Sequence, residues 1–423
     1  MLFDALGLAP ALVRAVQAHG HTTPTPIQAR SIPAALAGRD VLGAAQTGSG
    51  KTLAFALPLL QRQMHLRREW PRWPRALVLV PTRELALQVG EVVRALAQAL
   101  PDPPRVTTVF GGVSINPQMM GLRGGTEVVV ATPGRLLDLV EHNALRLDLI
   151  DTLVLDEADR LLDLGFADEL ARVLAQLPAQ RQHLFFSATF PPAVQALADT
   201  LLREPVRIEI DADAGADGEP GSHPDITQRA IEVDAGRRTG LLRHLVRTHG
   251  WERVLVFVAT RHAADLIAHK LGREGLPAVA LHGELSQGTR AEVLQAFRAR
   301  RIRVLVVTDL AARGLDIPQL PAVVNYDLPR SAADHTHRIG RTGRAGASGV
   351  AVSFISAATE AHFRLIEKRQ GRRVPREQVP GFEPVETATP DQAAGGIKGR
   401  RPSKKDKLRA AAAVRQGGDD RAD

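Results

Sequence analysis

The sequence predicts an α/β protein with two lobes, each a parallel sheet flanked by helices. Two series of short apolar runs alternate with amphipathic segments of helical periodicity, and a stretch rich in Gly, Asp and Pro separates the two series. The length of 423 residues also exceeds what one hydrophobic core usually holds. Alternating strands and helices are typical of doubly wound sheets, which bind ligands at the carboxyl ends of their strands.

The predicted strands and helices divide the chain into four parts. We predict a first lobe at residues 1–209, a flexible linker at 210–224, a second lobe at 225–369 and a tail at 370–423. In the first lobe, strands are predicted at 76–80, 127–131, 152–156 and 183–187, with helices at 84–100 and 166–177. In the second lobe, strands are predicted at 253–258, 278–282, 302–308 and 322–326, with a helix at 261–275.

Charge and composition narrow the class of protein. The formal net charge of +8 and the pI of about 10.4 favour a nucleic-acid partner. Much of this charge lies in the tail, where residues 397–409 hold seven basic residues and one acidic residue, and we expect a disordered basic tail there. The absence of cysteine excludes disulfides and thiolate metal sites. Because the sequence has no signal-peptide pattern and no apolar run of membrane-spanning length, we expect a cytoplasmic protein without a membrane partner.

The segment AAQTGSGKT at residues 44–52 predicts a phosphate-binding loop. It follows a predicted strand near residues 40–42 and precedes a helix-like segment at 52–63, which is the context that a P-loop requires. Ala45 stands where the usual pattern has its first glycine. We expect Lys51 to reach the β and γ phosphates and the Thr52 hydroxyl to bind Mg²⁺. The backbone that wraps the phosphates is predicted to come from Gln46, Thr47, Gly48, Ser49 and Gly50.

Three carboxylates follow the predicted strand at 152–156. Asp156, Glu157 and Asp159 repel one another, so they form either a solvated turn or a site for a cation. The phosphate loop upstream favours the second alternative. We therefore predict that Asp156 holds Mg²⁺, partly through water, and that Glu157 polarises the attacking water in a phosphoryl-transfer reaction.

The chain resembles the DEAD-box RNA helicases of the second helicase superfamily. The resemblance rests on an ordered set of motifs between residues 3 and 346, because DEAD alone occurs by chance. Details such as LGL near the start and AARGLDI look most like the bacterial RhlE-type subgroup. The motifs are PTPIQ (24–28), AQTGSGKT (45–52), PTRELA (81–86), GG (111–112), TPGR (132–135), DEAD (156–159), SAT (187–189), VFVAT (256–260), TDLAARGLDI (308–317) and HRIGRTGR (337–344).

The resemblance implies ATP as the nucleotide and assigns its contacts. Gln28 would bind the adenine edge, because one amide carries both a donor and an acceptor. His21 stands where the family usually has an aromatic residue that stacks on the base, and Asp316 would meet the ribose. Arg341 and Arg344 match the family's arginine fingers, which act on the γ-phosphate from the second lobe. Hydrolysis would therefore require closure of the two lobes.

The resemblance also implies how hydrolysis is linked to RNA. Asp159, Ser187 and Thr189 in the first lobe would couple the two activities. His337 and Arg338 in the second lobe would help couple the HRIGRTGR motif to the DEAD segment. His335 stands where the family usually has an aromatic residue, which affects a local contact. Contacts to the RNA backbone and 2′-OH, with little sequence specificity, are implied for Pro81, Thr82, Arg83, Gly111, Gly112, Thr132, Arg135, Thr260, Gln287, Arg290 and Thr308.

The function implied is that of an RNA-stimulated ATPase that separates short RNA duplexes or remodels RNA–protein complexes. Two alternatives stay open at this point: an ATP-dependent DNA translocase, and an ATP-gated RNA clamp with slow turnover. The basic tail either adds salt-dependent RNA affinity or only solubilises the protein. It could also dock ribosome-assembly or RNA-decay partners, although no motif names one.

Overall fold

Two seven-stranded parallel sheets form the protein, one in each half of the chain. The structure is a computed structural model that describes residues 2–45, 48–66, 70–210, 226–312, 320–343 and 348–389. The predicted linker lies almost entirely outside these residues, as does the basic segment at 397–409. No helix in the part of the chain that is described is both long and apolar enough to cross a bilayer.

The first lobe has the strand order β3-β4-β2-β5-β6-β1-β7. A short 3₁₀ helix at Phe3–Leu6 precedes its regular elements. Its strands are β1 (Val41–Ala44), β2 (Ala76–Leu79), β3 (Val106–Val109), β4 (Val128–Ala131), β5 (Thr152–Leu155), β6 (Gln182–Ser187) and β7 (Val206–Glu209). Its helices are α1 (Pro10–Ala18), α2 (Pro26–Leu36), α3 (Lys51–Met64), α4 (Arg83–Gln98), α5 (Asn116–Leu122), α6 (Pro133–Glu141), α7 (Ala158–Asp163), α8 (Ala167–Leu174) and α9 (Pro192–Leu201).

Apolar residues on both faces of the strands place this sheet between two layers of helices. Ala76 and Val78 of β2 pack into the cluster that holds Phe55 and Phe186, whereas Leu77 and Leu79 pack into the cluster on the opposite face. Side chains alternate along a strand, so a run of four buried residues serves both clusters. The polar carboxyl ends of the strands are thereby held at one edge of a rigid core.

The second lobe has the strand order β10-β11-β9-β12-β13-β8-β14. Its strands are β8 (Ile226–Glu232), β9 (Val254–Val258), β10 (Ala278–Leu281), β11 (Val304–Thr308), β12 (Ala322–Asn325), β13 (Gly349–Ile355) and β14 (Arg376–Glu377). Its helices are α10 (Arg238–Thr248), preceded by a 3₁₀ turn at Ala235–Arg237, α11 (Arg261–Arg273), α12 (Gln287–Arg298), α13 (Asp309–Ala312), α14 (Ala332–Ile339) and α15 (Glu360–Gln370).

The predicted fold class is confirmed, and all eight strands predicted from apolar runs are present within about two residues. The predicted end of the second lobe at residue 369 is wrong. Residues 376–377 add β14 beside β8, Arg229 pairs with Glu377 at 2.7 Å, and the Asp234 carboxylate accepts the backbone N–H of Val385 at 3.0 Å. The packed second lobe therefore continues to about residue 389, where the described chain ends.

Candidate functional site

The predicted phosphate loop joins β1 to α3. Gly48 and Gly50 have φ angles of 87° and 94°, which side chains rarely adopt, so glycine is required at both positions. Lys51 begins α3, is buried, and donates from Nζ to the Ala45 carbonyl at 2.6 Å. Gln46 and Thr47 lie outside the described residues. A helix N-terminus preceded by tightly turned glycines is an anion site, because backbone N–H groups and the helix dipole point at it.

Asp156 lies at the carboxyl end of β5 and is buried. The pKa of its carboxyl is raised to about 6, mainly by burial; the positive charge of Lys51 opposes this rise and the neighbouring Glu157 adds to it. A buried carboxylate with a raised pKa is stabilised by an added cation. The phosphate loop therefore brings Lys51 close to the first of the three predicted carboxylates.

The donors at this edge suit Mg²⁺ held together with phosphates. The described residues include no cluster of three or more His, Asp or Glu side chains that could hold a metal alone. Mg²⁺ usually takes one or two protein oxygens and fills its other positions with water and substrate phosphate. The Asp156 carboxylate and the half-buried Thr52 hydroxyl, at the start of α3, are oxygen donors of this kind.

Glu157 has a left-handed backbone, with φ 52° and ψ 51°, immediately before α7. Such a conformation costs about 1–3 kcal/mol for a residue other than glycine. The Glu157 N–H donates to Asp156 Oδ1 at 2.9 Å, and its carboxylate lies 3.3 Å from the Arg160 guanidinium. The Glu157 and Arg160 side chains are both buried. The strained turn therefore fixes the Glu157 carboxylate beside Asp156.

Asp159 joins the DEAD segment to the SAT segment. Its Oδ2 accepts the Thr189 N–H at 3.0 Å and the Thr189 hydroxyl at 2.7 Å. The Asp159 N–H donates to Ser187 Oγ at 3.2 Å, and that hydroxyl donates to the Thr189 carbonyl at 2.8 Å. The predicted proximity of the two motifs is thus present as a closed set of hydrogen bonds.

His337 of the second lobe faces the DEAD segment of the first. The pKa of its imidazole is lowered to about 4, mainly by burial; the positive charges of Arg160 and Arg341 contribute to this lowering, while Asp159 and Glu157 oppose it. Its Nε2 is buried without a hydrogen-bond partner. Arg341 is also buried here, whereas Arg344 and Asp316 lie outside the described residues.

Arg338 does not bond to the DEAD segment as the sequence predicted. Its guanidinium forms a bidentate pair with Asp309 at 2.6 and 2.8 Å and donates to Asn325 Oδ1 at 3.1 Å and to the Asp327 carbonyl at 2.7 Å. It also lies 4.9 Å from the centre of the Phe257 ring. All of these groups belong to the second lobe, so Arg338 fixes α14, and with it His337, against β9, β11 and β12.

His335 lies in the same buried region of the second lobe. Its ring packs edge-on against Phe363 with centroids 5.8 Å apart, and its Nδ1 lies 3.2 Å from Gln370 Nε2. Burial lowers the pKa of His335 to about 4. The ring is therefore a neutral aromatic in the position where the sequence comparison expected an aromatic residue.

Gln28 and His21 occupy different environments near the phosphate loop. The Gln28 side chain is buried, with Nε2 donating to the Gly50 carbonyl at 3.0 Å and Oε1 accepting the Thr25 N–H at 3.0 Å. An amide has two N–H groups and two oxygen lone pairs, so one donor and one acceptor remain for a ligand. His21 is exposed in the loop between α1 and α2.

A second group of predicted residues follows β2, β3 and β4, with Pro81 and Thr82 directly after β2. Arg83 donates to the Gly112 carbonyl at 3.3 Å and lies 5.7 Å from the centre of the Phe110 ring, a neighbour that the sequence did not reveal. Thr132 accepts the Gly111 N–H at 3.3 Å, and Arg135 donates to the Val113 carbonyl at 2.7 Å. The three motifs thus meet around one loop, at the same sheet edge as the carboxylates.

Arg290 of the second lobe forms an ion pair across the cleft. The sequence predicted an RNA contact, but its Nη2 lies 2.5 Å from Glu84 Oε1 in the first lobe and its Nη1 donates to the His282 carbonyl at 3.1 Å. The two side chains are only 7% and 18% exposed. Glu84 was missed because an acidic residue in the first turn of a helix has a sufficient local explanation in the helix dipole.

The remaining predicted residues of the second lobe lie at or beyond the carboxyl ends of β9, β10 and β11. Thr260 caps α11, where its exposed hydroxyl accepts the Ala263 N–H at 3.1 Å, and Thr308 is the half-buried last residue of β11. Gln287 is the first residue of α12. Because β9, β10 and β11 are adjacent and parallel, these positions share one edge of the sheet.

Comparisons with known proteins agree with this geometry. Residues 25–197 match the DEAD/DEAH box helicase family, and residues 237–346 match the helicase conserved C-terminal domain. The chain is 41% identical over 385 residues to "ATP-dependent RNA helicase DeaD" of Mycobacterium tuberculosis, covering 91% of this chain and 66% of that relative, which is just under two thirds of its length. It is 37% identical over 381 residues to "DEAD-box ATP-dependent RNA helicase CshA" of Geobacillus kaustophilus, covering 90% of this chain and 79% of that relative.

Solved structures show the same two-lobed fold. Saccharomyces cerevisiae Dbp5 bound to RNA and ADP BeF3 has a TM-score of 0.77 at 32% identity, covering 90% of this chain and 95% of that chain. Mss116p bound to ssRNA and AMP-PNP has a TM-score of 0.80 at 28% identity, covering 92% of this chain and 80% of that chain. A DEAD box protein from Methanococcus jannaschii reaches 0.52 at 34% identity, covering 89% and 99%.

Proposed function

Because the chain belongs to the DEAD-box helicase family, we propose that it is an RNA-stimulated ATPase that separates short RNA duplexes or remodels RNA–protein complexes. The observation that carries the proposal is the closed cleft. In this cleft, His337 of the second lobe lies against the DEAD segment, and Arg290 of the second lobe forms an ion pair with Glu84 of the first. The fold also matches that of relatives solved with RNA and a nucleotide analogue, at TM-scores of 0.77 and 0.80.

In the proposed reaction, the first lobe binds ATP, and the second lobe supplies the arginines that complete the catalytic site. Lys51 neutralises charge on the β and γ phosphates, and Glu157 accepts a hydrogen bond from the attacking water. Arg341, together with Arg344, stabilises the charge that develops on the transferred phosphoryl group. Mg²⁺, held by Asp156 and Thr52, would supply further charge neutralisation when bound. A water-orienting carboxylate on one lobe and guanidinium groups on the other cannot act together unless the cleft is closed.

We assign binding of the adenine base of ATP to the N-terminal segment of the first lobe. The free donor and acceptor of Gln28 suit the adenine edge, and its bond to the Gly50 carbonyl links base recognition to the phosphate loop. His21 would cover the base and Asp316 the ribose. This connection gives a physical reason for selecting adenine, since a base with the opposite donor pattern would leave the buried amide unpaired.

RNA is proposed to bind across the two sheet edges that carry Thr82, Arg83, Thr132, Thr260 and Thr308. Hydroxyls, glycine backbone and single arginines suit phosphate and 2′-OH groups, which carry no base sequence. The hydrogen bonds around Gly111 and Gly112 hold this surface rigid. Coupling is assigned to the Asp159–Thr189 bonds in the first lobe and to His337, held by Arg338, in the second.

Several finer assignments stay predictions. The relatives described above carry the names DeaD and CshA, so the RhlE-type subgroup is a prediction, as is a cytoplasmic location. Ribosome-assembly or RNA-decay partners are predicted only through the basic tail. The domain limits at 209 and 225 are also predictions, since residues 211–225 lie outside the described chain.

The proposal is tested by steady-state ATP hydrolysis with no nucleic acid, with single-stranded RNA and with DNA of the same sequence. We expect strong stimulation by RNA alone. Glu157→Gln should bind ATP and RNA but lower kcat by about a hundredfold or more, whereas Lys51→Ala should weaken ATP binding itself. Equal stimulation by DNA would favour a translocase, and normal turnover by Glu157→Gln would disprove its assigned role.

A further inference from the structure

We propose that a cavity on the first lobe, remote from the ATP and RNA edges, binds an acidic peptide that carries a large apolar side chain. The cavity has a volume of about 680 Å³ and lies between the segment before β2, helix α5 and the segment after α6. Its apolar lining includes Trp73, Met119, Met120, Leu122 and Leu145. A volume of this size accepts one or two large side chains.

One apolar residue that lines the cavity and one that lies beside it are exposed to solvent. Met120 is 55% exposed, and Trp70, directly before the cavity segment, is 78% exposed. Methionine adapts its shape to a partner, and exposed Trp and Met are enriched at protein interfaces. Exposed residues of this kind next to a cavity therefore mark a docking surface.

The charges around the cavity have one sign. Arg72, Arg123 and Arg146 line it, and among the described lining residues there is no carboxylate. Arg72 and Arg146 are paired from outside the cavity by Glu127 and Asp148, at 3.2 and 2.5 Å. Arg123 is exposed and has no ion-pair partner among the described residues. A ligand with Asp or Glu next to its apolar anchor would match this rim.

The geometry favours a peptide over a nucleic acid. Strand-binding surfaces for nucleic acids offer open aromatic faces on which bases stack. Here the Arg146 guanidinium lies 5.2 Å from the centre of the Trp73 ring and covers one face of it.

The position of the cavity keeps a bound peptide out of the catalytic cleft. Pro74 leads into β2, Thr126 leads into β4, and Arg146 precedes β5, so the cavity lies at the amino ends of three adjacent strands. Lys51, Asp156 and the RNA-facing loops lie at or beyond the carboxyl ends. A partner could therefore be held on the first lobe through the whole cycle of opening and closure.

The test selects a phage-displayed library of random short peptides on the full-length chain and measures the affinity of the selected peptides. We expect selected sequences with a Trp, Phe or Leu flanked by Asp or Glu, bound more weakly at higher salt. Met120→Glu and Arg123→Glu should each lower the affinity by about tenfold or more. Leu365→Glu, an exposed apolar position on the second lobe, is the matched control and should leave the affinity unchanged.

RNA-stimulated ATP hydrolysis should be unchanged in Met120→Glu and Arg123→Glu, which shows that the first lobe is folded. The proposal is overturned if no peptide is selected, or if the selected peptides bind both variants as tightly as the wild type. It is also overturned if single-stranded RNA displaces the peptides and loses affinity for Arg123→Glu, because the cavity would then bind nucleic acid. These readouts do not depend on ATP hydrolysis and can succeed or fail separately from the proposed function.

Discussion

The ion pair between Glu84 and Arg290 is the strongest single test of how closure is built. It joins the two lobes at 2.5 Å with both side chains mostly buried. Removing one partner of a buried, hydrogen-bonded charge pair typically costs about 2–5 kcal/mol. In the open form both groups are solvated, and Glu84 keeps 18% exposure when closed, so we expect about 2 kcal/mol of closed-state stability from the pair.

The perturbation is Glu84→Ala, and the assay is the affinity for single-stranded RNA with and without a non-hydrolysable ATP analogue. About 2 kcal/mol corresponds to a loss of about 30-fold in RNA affinity in the presence of the analogue. Without nucleotide, the lobes are not held together and the affinity should be nearly unchanged. The double variant Glu84→Arg with Arg290→Glu is expected to restore part of the loss, which neither single variant does.

The opposite outcome distinguishes the pair from the role that the sequence alone assigns to Arg290. If Arg290 acts mainly on RNA phosphate, removing the Glu84 carboxylate should strengthen RNA binding, because a negative charge beside the strand is lost. Tighter binding by Glu84→Ala, or an equal loss with and without the ATP analogue, would refute the reasoning.

Two further predictions concern the cleft. The pKa of His337 is lowered from the ordinary value of 6.5 to about 4 in the closed cleft, so the closed form should lose stability as the pH falls below 6.5. RNA affinity with the ATP analogue should therefore drop between pH 7 and 5.5, and His337→Gln should flatten that drop. An unchanged slope in this variant would assign the pH dependence to another group, such as Asp156. Asp159→Asn should weaken the two bonds to Thr189 and lower duplex separation by about tenfold more than ATP hydrolysis, measured on the same preparation.

The predictable part of the fold is the part whose strands are apolar on both faces. Runs such as Ala76–Leu79 and Thr152–Leu155 are typical of buried strands in an α/β chain, and they are found where expected. Five strands were missed, and four of them carry polar residues: Val106–Val109 reads VTTV, Val206–Glu209 reads VRIE, Ile226–Glu232 reads ITQRAIE, and the last strand has only two residues. The fifth, Gly349–Ile355, reads GVAVSFI and is mostly apolar, so its sequence is compatible with a buried strand. Val106–Val109, Val206–Glu209 and the last strand lie at sheet edges, where strands are half solvated, so hydrophobicity alone does not reveal them. Ile226–Glu232 lies inside its sheet, and its polar residues hide it.

The site divides in the same way, between what a local pattern determines and what closure determines. A glycine-rich turn before a helix fixes the backbone around Lys51, and a strand end fixes Asp156, so both lie where the motifs placed them. The partners of Arg290 and Arg338 depend on how distant segments meet. An arginine in a motif can bind either a phosphate or a carboxylate. Which of the two it binds depends on which group lies within reach in the folded chain, and the sequence alone does not give that distance. In this fold, Arg290 pairs with Glu84 and thereby links the two lobes. Arg338 pairs with Asp309 and thereby holds His337 toward the DEAD segment.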